Sequence, residues 1–507
     1  MKYAEFTLEA RFRKPLWPGE LAMAHMGPST DQRSLHPRIQ RLRLPVFSVK
    51  MLLVCVPPCL CGRWRSVKHT LREKKMDMNR RKFLASTATL AMAAGTMVKT
   101  KAAHGANSRI GICVIGLNGR GHEHMQAFQK VDGAEVVALC DADDRVLSAR
   151  VEEYKSRYGK TPKAFKDMRE AMKDPDIHAV SIATPNHWHT LAAIWGLQAG
   201  KHVYVEKPAT HGIWEGRQLI AAAKKYGKVL QHGTQRRSEA IWMRDIKLLQ
   251  SGEIIGPVYY ARGLCYKNGN RGPVKDTPDQ EPPKELDWRL WQGPASERPF
   301  NPQYHPYTWH WFWHYGNGEI GNQGIHQMDV GAWGMNRGFP TEVYSMGGRY
   351  TYTDKAETPN TNVATFKYED GSMFVFEVRS RFTQDEGGVK VGNLFYADGG
   401  YYVEDKGFFD KQDKPIEVDE SKYPKPDSKG NWQNFIDAIN SGKEEDIHGN
   451  AYDGHISSGH SHLANISYRL GRSLKFDPKT ETFVGDDEAN KLLKREYAPG
   501  FEVPELA

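Results

Sequence analysis

The spacing of apolar and polar residues divides this chain into three stretches. From Arg109 to about Thr234, short β-rich runs alternate with helical segments. The runs are "RIGICVIG", "AEVVALCD", "AVSIAT", "HVYVEKP" and "KVLQHGT"; between them lie segments such as "GHEHMQAFQKV" and "HWHTLAAIWGLQAG". That alternation predicts a parallel sheet wrapped by helices on both faces. From about Gln235 the pattern changes: one helical stretch, "SEAIWMRDIKLLQSG", leads into the strand "PVYYARGLCY". "NVATFKYEDGSMFVFEVRS" then reads as strand–turn–strand, with Glu369–Gly371 as the turn, and "GNLFYADGGYYVED" alternates in the same way. This stretch predicts an α+β domain on a largely antiparallel sheet. Before residue 78 no apolar period is sustained.

The stretch "MNRRKFLASTATLAMAAG" begins at Met78. Arg80, Arg81 and Lys82 precede a mildly apolar run and then small residues, the layout of a secretory signal headed by a twin arginine. The run is too short and too rich in Ala, Ser and Thr to span a bilayer stably. The organisation expected is an upstream extension over 1–77, a signal over 78–106, a nucleotide-binding domain over 107–235 and a substrate and oligomerisation domain over 236–507. Translation is expected to start at Met78 or Met76, the alternative for 1–77 being a disordered basic arm. The mature chain is expected to begin near Ala103–Ala106, to be exported through the twin-arginine machinery into the periplasm, and to have no membrane contact after signal removal.

Charge supports this division. The chain has 70 Lys and Arg against 61 Asp and Glu, and the whole excess of +9 lies in residues 1–77. The remainder is balanced and gives no reason to expect nucleic acid. Cys55, Cys59 and Cys61 lack a second ligand pair at a zinc spacing, and Cys113, Cys140 and Cys265 are no disulfide framework. Cys113 and Cys140 fall in strand-like runs, as small core residues do.

The first strand runs into "GLNGRG", Gly116–Gly121. In a dinucleotide fingerprint the first glycine makes the tight turn, the last allows close helix–strand packing, and the pyrophosphate sits on the amides of the helix start. Asn118 takes the middle glycine position, with Gly119 and Arg120 beside it, and asparagine tolerates left-handed angles. Asp141 ends the second strand, where its carboxylate accepts from ribose hydroxyls and repels a 2′-phosphate, favouring NAD over NADP.

Two further stretches, "ATPNHWH" at Ala183–His189 and "GKHVYVEKPAT" at Gly200–Thr210, complete a pattern. With the fingerprint, they closely resemble the glucose–fructose oxidoreductase, inositol dehydrogenase and rhizopine-catabolism (Gfo/Idh/MocA) family, from Arg109 onward. The resemblance implies a Rossmann-type doubly wound sheet followed by an α+β domain with one open, largely antiparallel sheet that also serves in homo-oligomer packing. It also implies that Lys207, in "EKP", is the catalytic lysine. The physical reading agrees. Lys207 precedes a proline, which favours an extended backbone at the carboxyl end of a parallel strand, on the edge of the crevice. Beside a nicotinamide cation its ammonium would lose a proton more readily and exchange it with a substrate hydroxyl. Glu206 and Pro208 are expected to shape the turn and contact the cofactor, and Thr184, Pro185 and Asn186 to form a cofactor loop. His187 and His189 equally fit an ordinary helix start.

In the second domain, "YTWHWFWHYGNGEIGNQGIHQMDVGAWG" places Asn322, His326 and Asp329 at i, i+4 and i+7, one face of a helix. By the resemblance, His326 matches the family's histidine and completes a triad with the lysine. Asn322 stands where the family usually has aspartate, and an amide can position a hydroxyl but cannot take its proton. Trp309 and Trp311 are either core or a platform for sugar C–H faces, while Trp288 and Arg289 are candidates to close over the site. His455, His460 and His462 form no recognisable metal-ligand set, so no metal is expected. The function expected is hydride transfer between tightly held NAD and a sugar, glycoside or cyclitol hydroxyl carbon. The rivals are a redox-neutral glycoside-cleaving enzyme that works through a keto-sugar, and a non-catalytic binding relative.

Overall fold

The computed structural model describes residues 109–267, 273–381 and 383–507. The twin-arginine stretch, the leader cysteines and the expected start sites lie outside the described residues.

The first sheet is six-stranded and parallel: β1 (Ile110–Ile115), β2 (Ala134–Cys140), β3 (Lys163–Phe165), β4 (Ala179–Ile182), β5 (His202–Val205) and β6 (Leu230–His232), in the order β3-β2-β1-β4-β5-β6. β1 is buried at every position and pairs with β2 on one side and β4 on the other. The chain direction across the sheet reverses at that point, which opens a crevice at the carboxyl ends of β1 and β4. Strand β3 is short and mostly exposed, which is why its apolar pattern is too weak to read.

The second sheet has ten strands: β7 (Val258–Cys265), β8 (Glu342–Gly348), β9 (Thr361–Lys367), β10 (Met373–Arg379), β11 (Val391–Ala397), β12 (Gly400–Val403), β13 (Gly407–Asp410), β14 (Pro415–Ile416), β15 (Leu474–Asp477) and β16 (Thr482–Phe483). Their order is β14-β13-β12-β11-β7-β10-β9-β8-β15-β16. The strands of this sheet pair antiparallel throughout the described residues except β7 with β10. Helices Ile325–Met335 and Ala451–Leu470 cover one face. Gly331 and Gly334 of the first, and Gly324 just before it, lie so close to Phe374, Phe395 and Phe376 respectively that a Cβ would collide with each ring. On the other face Tyr344, Met346 and Met373 stay exposed, in alternation with buried Val343 and Phe374.

Helix Ala451–Leu470 is rich in polar residues, yet it is buried from Gly454 to Ser467. Its polar groups are matched inside the protein: Ser458 Oγ accepts from Ala209 N at 3.0 Å, and Ser467 Oγ accepts from Ser345 N at 2.9 Å. The late histidines are spent in the same way. His455 Nε2 meets Glu481 at 2.9 Å, His460 Nε2 meets the Tyr368 hydroxyl at 3.0 Å, and His462 Nε2 meets Thr210 Oγ1 at 3.0 Å.

Segments beyond residue 235 return to the first sheet. Phe435 and Ile436 of helix Gly430–Ser441 are fully buried against Ile110, Val114 and Phe128, and Trp432 stacks on Tyr204 at 4.5 Å. Near the C-terminus, Phe501 and Val503 pack with Trp188 and Ile194 on the far side. Among the described residues, no helix is long and apolar enough to cross a membrane.

Candidate active site

The site starts from the glycine turn. Gly116 has φ +81°, and a Cβ there would stand 2.8 Å from Thr184 N; a Cβ on Gly121 would fall 1.6 Å from Gly116 O. Only glycine lets the helix lie this close to the strand. Gly119, at φ +39°, opens helix Arg120–Phe128, and no side chain caps it. Apart from Gly121 N, which stays within the turn, the helix start is left open to a pyrophosphate. The left-handed geometry falls on Gly116 and Gly119, and not on Asn118, which keeps ordinary angles while its carbonyl accepts from Gly121 N at 2.9 Å.

At the end of β2, Asp141 Oδ2 accepts from Leu117 N at 2.7 Å and Oδ1 accepts from Asp143 N at 3.0 Å. Burial pushes this carboxyl up to about 6, against the pull of both amides. After β4, Thr184, Pro185 and Asn186 line the same cleft, and the Thr184 hydroxyl is buried without a partner. An open glycine cradle, an uncapped helix start, an enclosed carboxylate and an unmatched hydroxyl suit a dinucleotide. The residues present fit NAD.

Over this floor stands an arch from residues 285 to 315. One footing is at the end of β2, where Asp144 N donates to Glu285 O and Asp287 N donates to Ala142 O, both at 3.0 Å. The other is beyond β4: Trp188 Nε1 donates to Trp291 O at 3.0 Å and His187 N donates to Tyr315 O at 3.2 Å. Leu290, Trp291, His305, Pro306, Tyr307, Trp309 and His310 face the cleft from above. Sequence reasoning passed over His305–Tyr307 as cleft residues, because no helical or strand period marks this segment. Trp309 lines the cleft, while Trp311 is buried in the arch's own aromatic core. Trp288 belongs to that core as well, stacked on Trp291 at 4.8 Å. Arg289 turns away toward the C-terminal tail, donating to Pro499 O at 2.8 Å with its guanidinium over Phe501. Neither Trp288 nor Arg289 closes over the site, because packing within the arch has claimed both.

Strand β5 delivers Glu206 and Lys207. Glu206 is buried and accepts from Arg120 Nε at 2.9 Å and Gln235 Nε2 at 3.3 Å, with His124 Nε2 at 3.1 Å. Burial pushes its carboxyl up, but Arg120, His124 and Lys207 outweigh burial and hold it well below the usual range. Pro208 does not line the cleft; it is buried, and its carbonyl meets His189 Nδ1 at 2.6 Å. Lys207 Nζ reaches across to the second domain and donates to Asn322 O at 2.6 Å, with Asn322 Oδ1 at 3.5 Å.

Asn322 does not sit on a regular α-helix. Ile320–Gly324 is a π-helical turn that runs into the α-helix at Ile325. Such a turn is wider than an α turn and often marks a functional site. It breaks the single face expected for Asn322, His326 and Asp329. Asp329 is drawn into the interior, where Arg237 Nε donates to its carboxylate at 2.9 Å, and it does not line the cleft. His326 is half-buried; burial first and the Lys207 ammonium second push its imidazole down to about 3. A buried carboxylate that sequence reasoning missed completes the junction. Glu319 Oε2 accepts from Asn322 Nδ2 at 3.2 Å. Its position three residues before Asn322, in "NGEIGN", was the available signal.

Residues 110–234 match the family model described as the oxidoreductase family, NAD-binding Rossmann fold, and residues 246–503 match its companion C-terminal alpha/beta domain. The chain belongs to the Gfo/Idh/MocA family. A glycosyl hydrolase family 109 protein from Shewanella pealeana is 28% identical over 219 residues, 38% of this chain and 48% of that protein. Inositol 2-dehydrogenase from Salmonella typhimurium is 31% identical over 167 residues, 32% of this chain and 48% of that enzyme. The chain thus spans about half the length of the curated relatives it matches. Among solved structures, the WlbA dehydrogenase from Bordetella pertussis in complex with NADH and UDP-GlcNAcA has a TM-score of 0.55 at 18% identity, covering 73% of this chain and 99% of that one. Aldose-aldose oxidoreductase from Caulobacter crescentus, complexed with glycerol, has a TM-score of 0.53 at 18% identity, covering 73% and 100%. These structural likenesses show the fold. That family is one of oxidoreductases with an NAD-binding Rossmann fold; no group of three or more His, Cys, Asp or Glu among the described residues could hold a metal ion.

Because Asp141 carries its proton below about pH 6, NAD affinity is expected to hold at neutral pH and to weaken as pH falls through that value. Asp141→Asn should lower affinity at neutral pH by roughly tenfold to a hundredfold, the range for a lost charged hydrogen bond, and flatten the profile. Calorimetric titration with NAD measures both; an unchanged profile in the variant would remove Asp141 from the ribose site.

Proposed function

We propose that this chain transfers hydride between NAD and a hydroxyl-bearing carbon of a sugar, glycoside or cyclitol. One observation carries the reading: Lys207 stands at the end of β5, on the edge of the nucleotide cleft, and its ammonium meets Asn322 of the second domain at 2.6 Å. The acid–base group of one domain and the polar turn of the other share a single point. The names of the relatives, an inositol dehydrogenase and a glycosyl hydrolase family protein, support a polyhydroxylated substrate. Lys207 and His326 together argue against a non-catalytic relative.

Bound NAD supplies the hydride acceptor. Gly116–Gly121, Asp141 and Thr184–Asn186 would hold it, and the Asp141 carboxylate disfavours the 2′-phosphate of NADP. In its amine form Lys207 takes the proton of the substrate hydroxyl as the C–H electron pair leaves the same carbon, and it returns that proton in the reverse direction. His326 stays neutral down to about pH 3, so one ring nitrogen can accept a hydrogen bond and the other can donate one, and it does not begin as an acid. The Asn322 amide orients the hydroxyl without titrating. Trp309 offers an apolar wall to sugar C–H faces.

The arch favours a second reading, in which NAD is retained. The sugar would be oxidised to a keto-sugar, the alcohol would leave from the glycosidic carbon and water take its place, and the hydride would then return to the carbonyl carbon, with no net change in the nucleotide. Retention also agrees with an exported enzyme, since twin-arginine export suits proteins that fold around a cofactor before crossing and free NAD is scarce outside the cytoplasm. We propose that Arg80 and Arg81 head such a signal and that the exposed sheet face around Tyr344 and Met346 packs against a second copy.

Lys207→Ala is expected to lower turnover by roughly two to four powers of ten, the scale of a positioned acid–base group, while nucleotide binding persists. A screen of sugars and glycosides, following reduced-nicotinamide absorbance and product masses together, separates net oxidation from cleavage without NADH. Wild-type turnover in the variant would take Lys207 out of the mechanism. For the exported enzyme, replacing Arg80 and Arg81 by lysine should block export, and acid extraction of the exported protein should release nicotinamide nucleotide. Unchanged export, or no recovered nucleotide, would overturn the respective proposal.

A further inference from the structure

The polar junction between the domains contains more than the groups that meet the substrate. Lys207 has only donors on its ammonium, so the atoms of Asn322 that face it must be oxygens. Two are: the main-chain carbonyl at 2.6 Å and Oδ1 at 3.5 Å. With Oδ1 toward the ammonium, the amide nitrogen points the other way and needs an acceptor. Glu319 Oε2 is that acceptor, at 3.2 Å, on a side chain whose residue is only 2% exposed. Glu319 immediately precedes the π-helical turn, and the turn places both residues on the Lys207 side of the second domain.

A buried carboxylate is costly unless a positive charge or a donor balances it. On the other side of the Asn322 amide stands the Lys207 ammonium. Glu206, His189, His232 and His326 also sense Lys207. Burial lowers the three imidazoles, to about 3 at His232 and His326, so they stay neutral. Glu206 is engaged by Arg120, His124 and Gln235. Asn322 itself carries no charge.

We propose that Glu319 is a positioning residue for the reaction: through the Asn322 amide it fixes the oxygen that holds Lys207, and its carboxylate adds to that of Glu206 a negative charge that raises the proton affinity of the lysine. The inference rests on the reading of Lys207 as the acid–base group, and it assigns to the pair Glu319–Asn322 the task that a single carboxylate against the lysine would perform.

The test needs no substrate. The rate at which Lys207 is acylated by acetic anhydride, followed by mass spectrometry of its peptide in the NAD-loaded protein across a pH series, reports the ionisation of that amine. In Glu319→Gln the inflection should move to lower pH by about one unit, the scale of losing a nearby opposite charge. Glu319→Asp, which keeps the charge, should stay nearer to wild type. Overlapping profiles for wild type and Glu319→Gln would overturn the proposal. If Glu319→Gln does not fold, the exchange E319Q/N322D keeps one carboxylate and one amide in contact; its inflection should lie at or above the wild-type value, and a value below it would equally overturn the proposal. The turnover of Lys207→Ala tests the role of the lysine, and the acylation profile tests the coupling to Glu319, so the two can fail separately.

Discussion

The buried carboxylate of Glu206 is the constraint on which the cleft depends. At the end of β5, a charged group removed from water must be matched or it would destabilise the sheet. Its partners come from three places: Arg120 and His124 from the helix after the glycine turn, Gln235 from the entry to the second domain, and the amide of Lys207 from its own strand. Satisfying one carboxylate therefore fixes the phosphate-binding helix, the strand end that carries the lysine and the point where the chain leaves the first domain. The backbone of Gly233 lies so close to Glu206 that a Cβ would sit 3.1 Å from its carboxyl carbon, which leaves that anion little room to move.

Much of this was legible in the sequence because the first domain is built from local signals. A glycine turn, a carboxylate closing the next strand and a lysine before proline each depend on a few adjacent residues. Reading β1, β2, β4 and β5 required only that buried parallel strands are apolar throughout. What escaped depends on contacts across long separations. Asp329 has the spacing of a site residue, but Arg237, far away in sequence, draws it inside. The π-helical turn at Ile320–Gly324 shifts a face that regular helical geometry would have kept intact. Arg289 and Trp288 read as lid residues, but the arch and the C-terminal tail use them for packing. Glu319 was passed over because a lone acid among glycines resembles any loop residue until its burial is known.

The arch and the junction divide the work of the site between rigidity and chemistry. Aromatic packing in the arch, where Trp288, Trp291, Phe300, Tyr304 and Tyr315 form one cluster, gives it a core of its own, and its footings on both sides of the crevice hold it there. The junction carries the polar groups Lys207, Asn322 and Glu319. Changes in the arch should thus act on how long a nucleotide stays, and changes at Lys207, Asn322 or His326 on what happens to it while bound.

Helix Gly430–Ser441 and the tail around Phe501 have a consequence for how the protein is made. The first sheet is encoded by residues 110–232, yet Phe435, Ile436, Phe501 and Val503 close its two apolar sides. During synthesis those closing residues emerge some 200 to 270 positions later, a delay on the order of ten to fifty seconds at typical elongation rates. Until then the young nucleotide domain lacks those covers on both sides, so its final assembly waits for residues 435 to 503 to emerge. The same wrapping makes the two domains poor candidates for separate expression or for exchange between relatives, because a cut near residue 235 separates each side of the sheet from its cover.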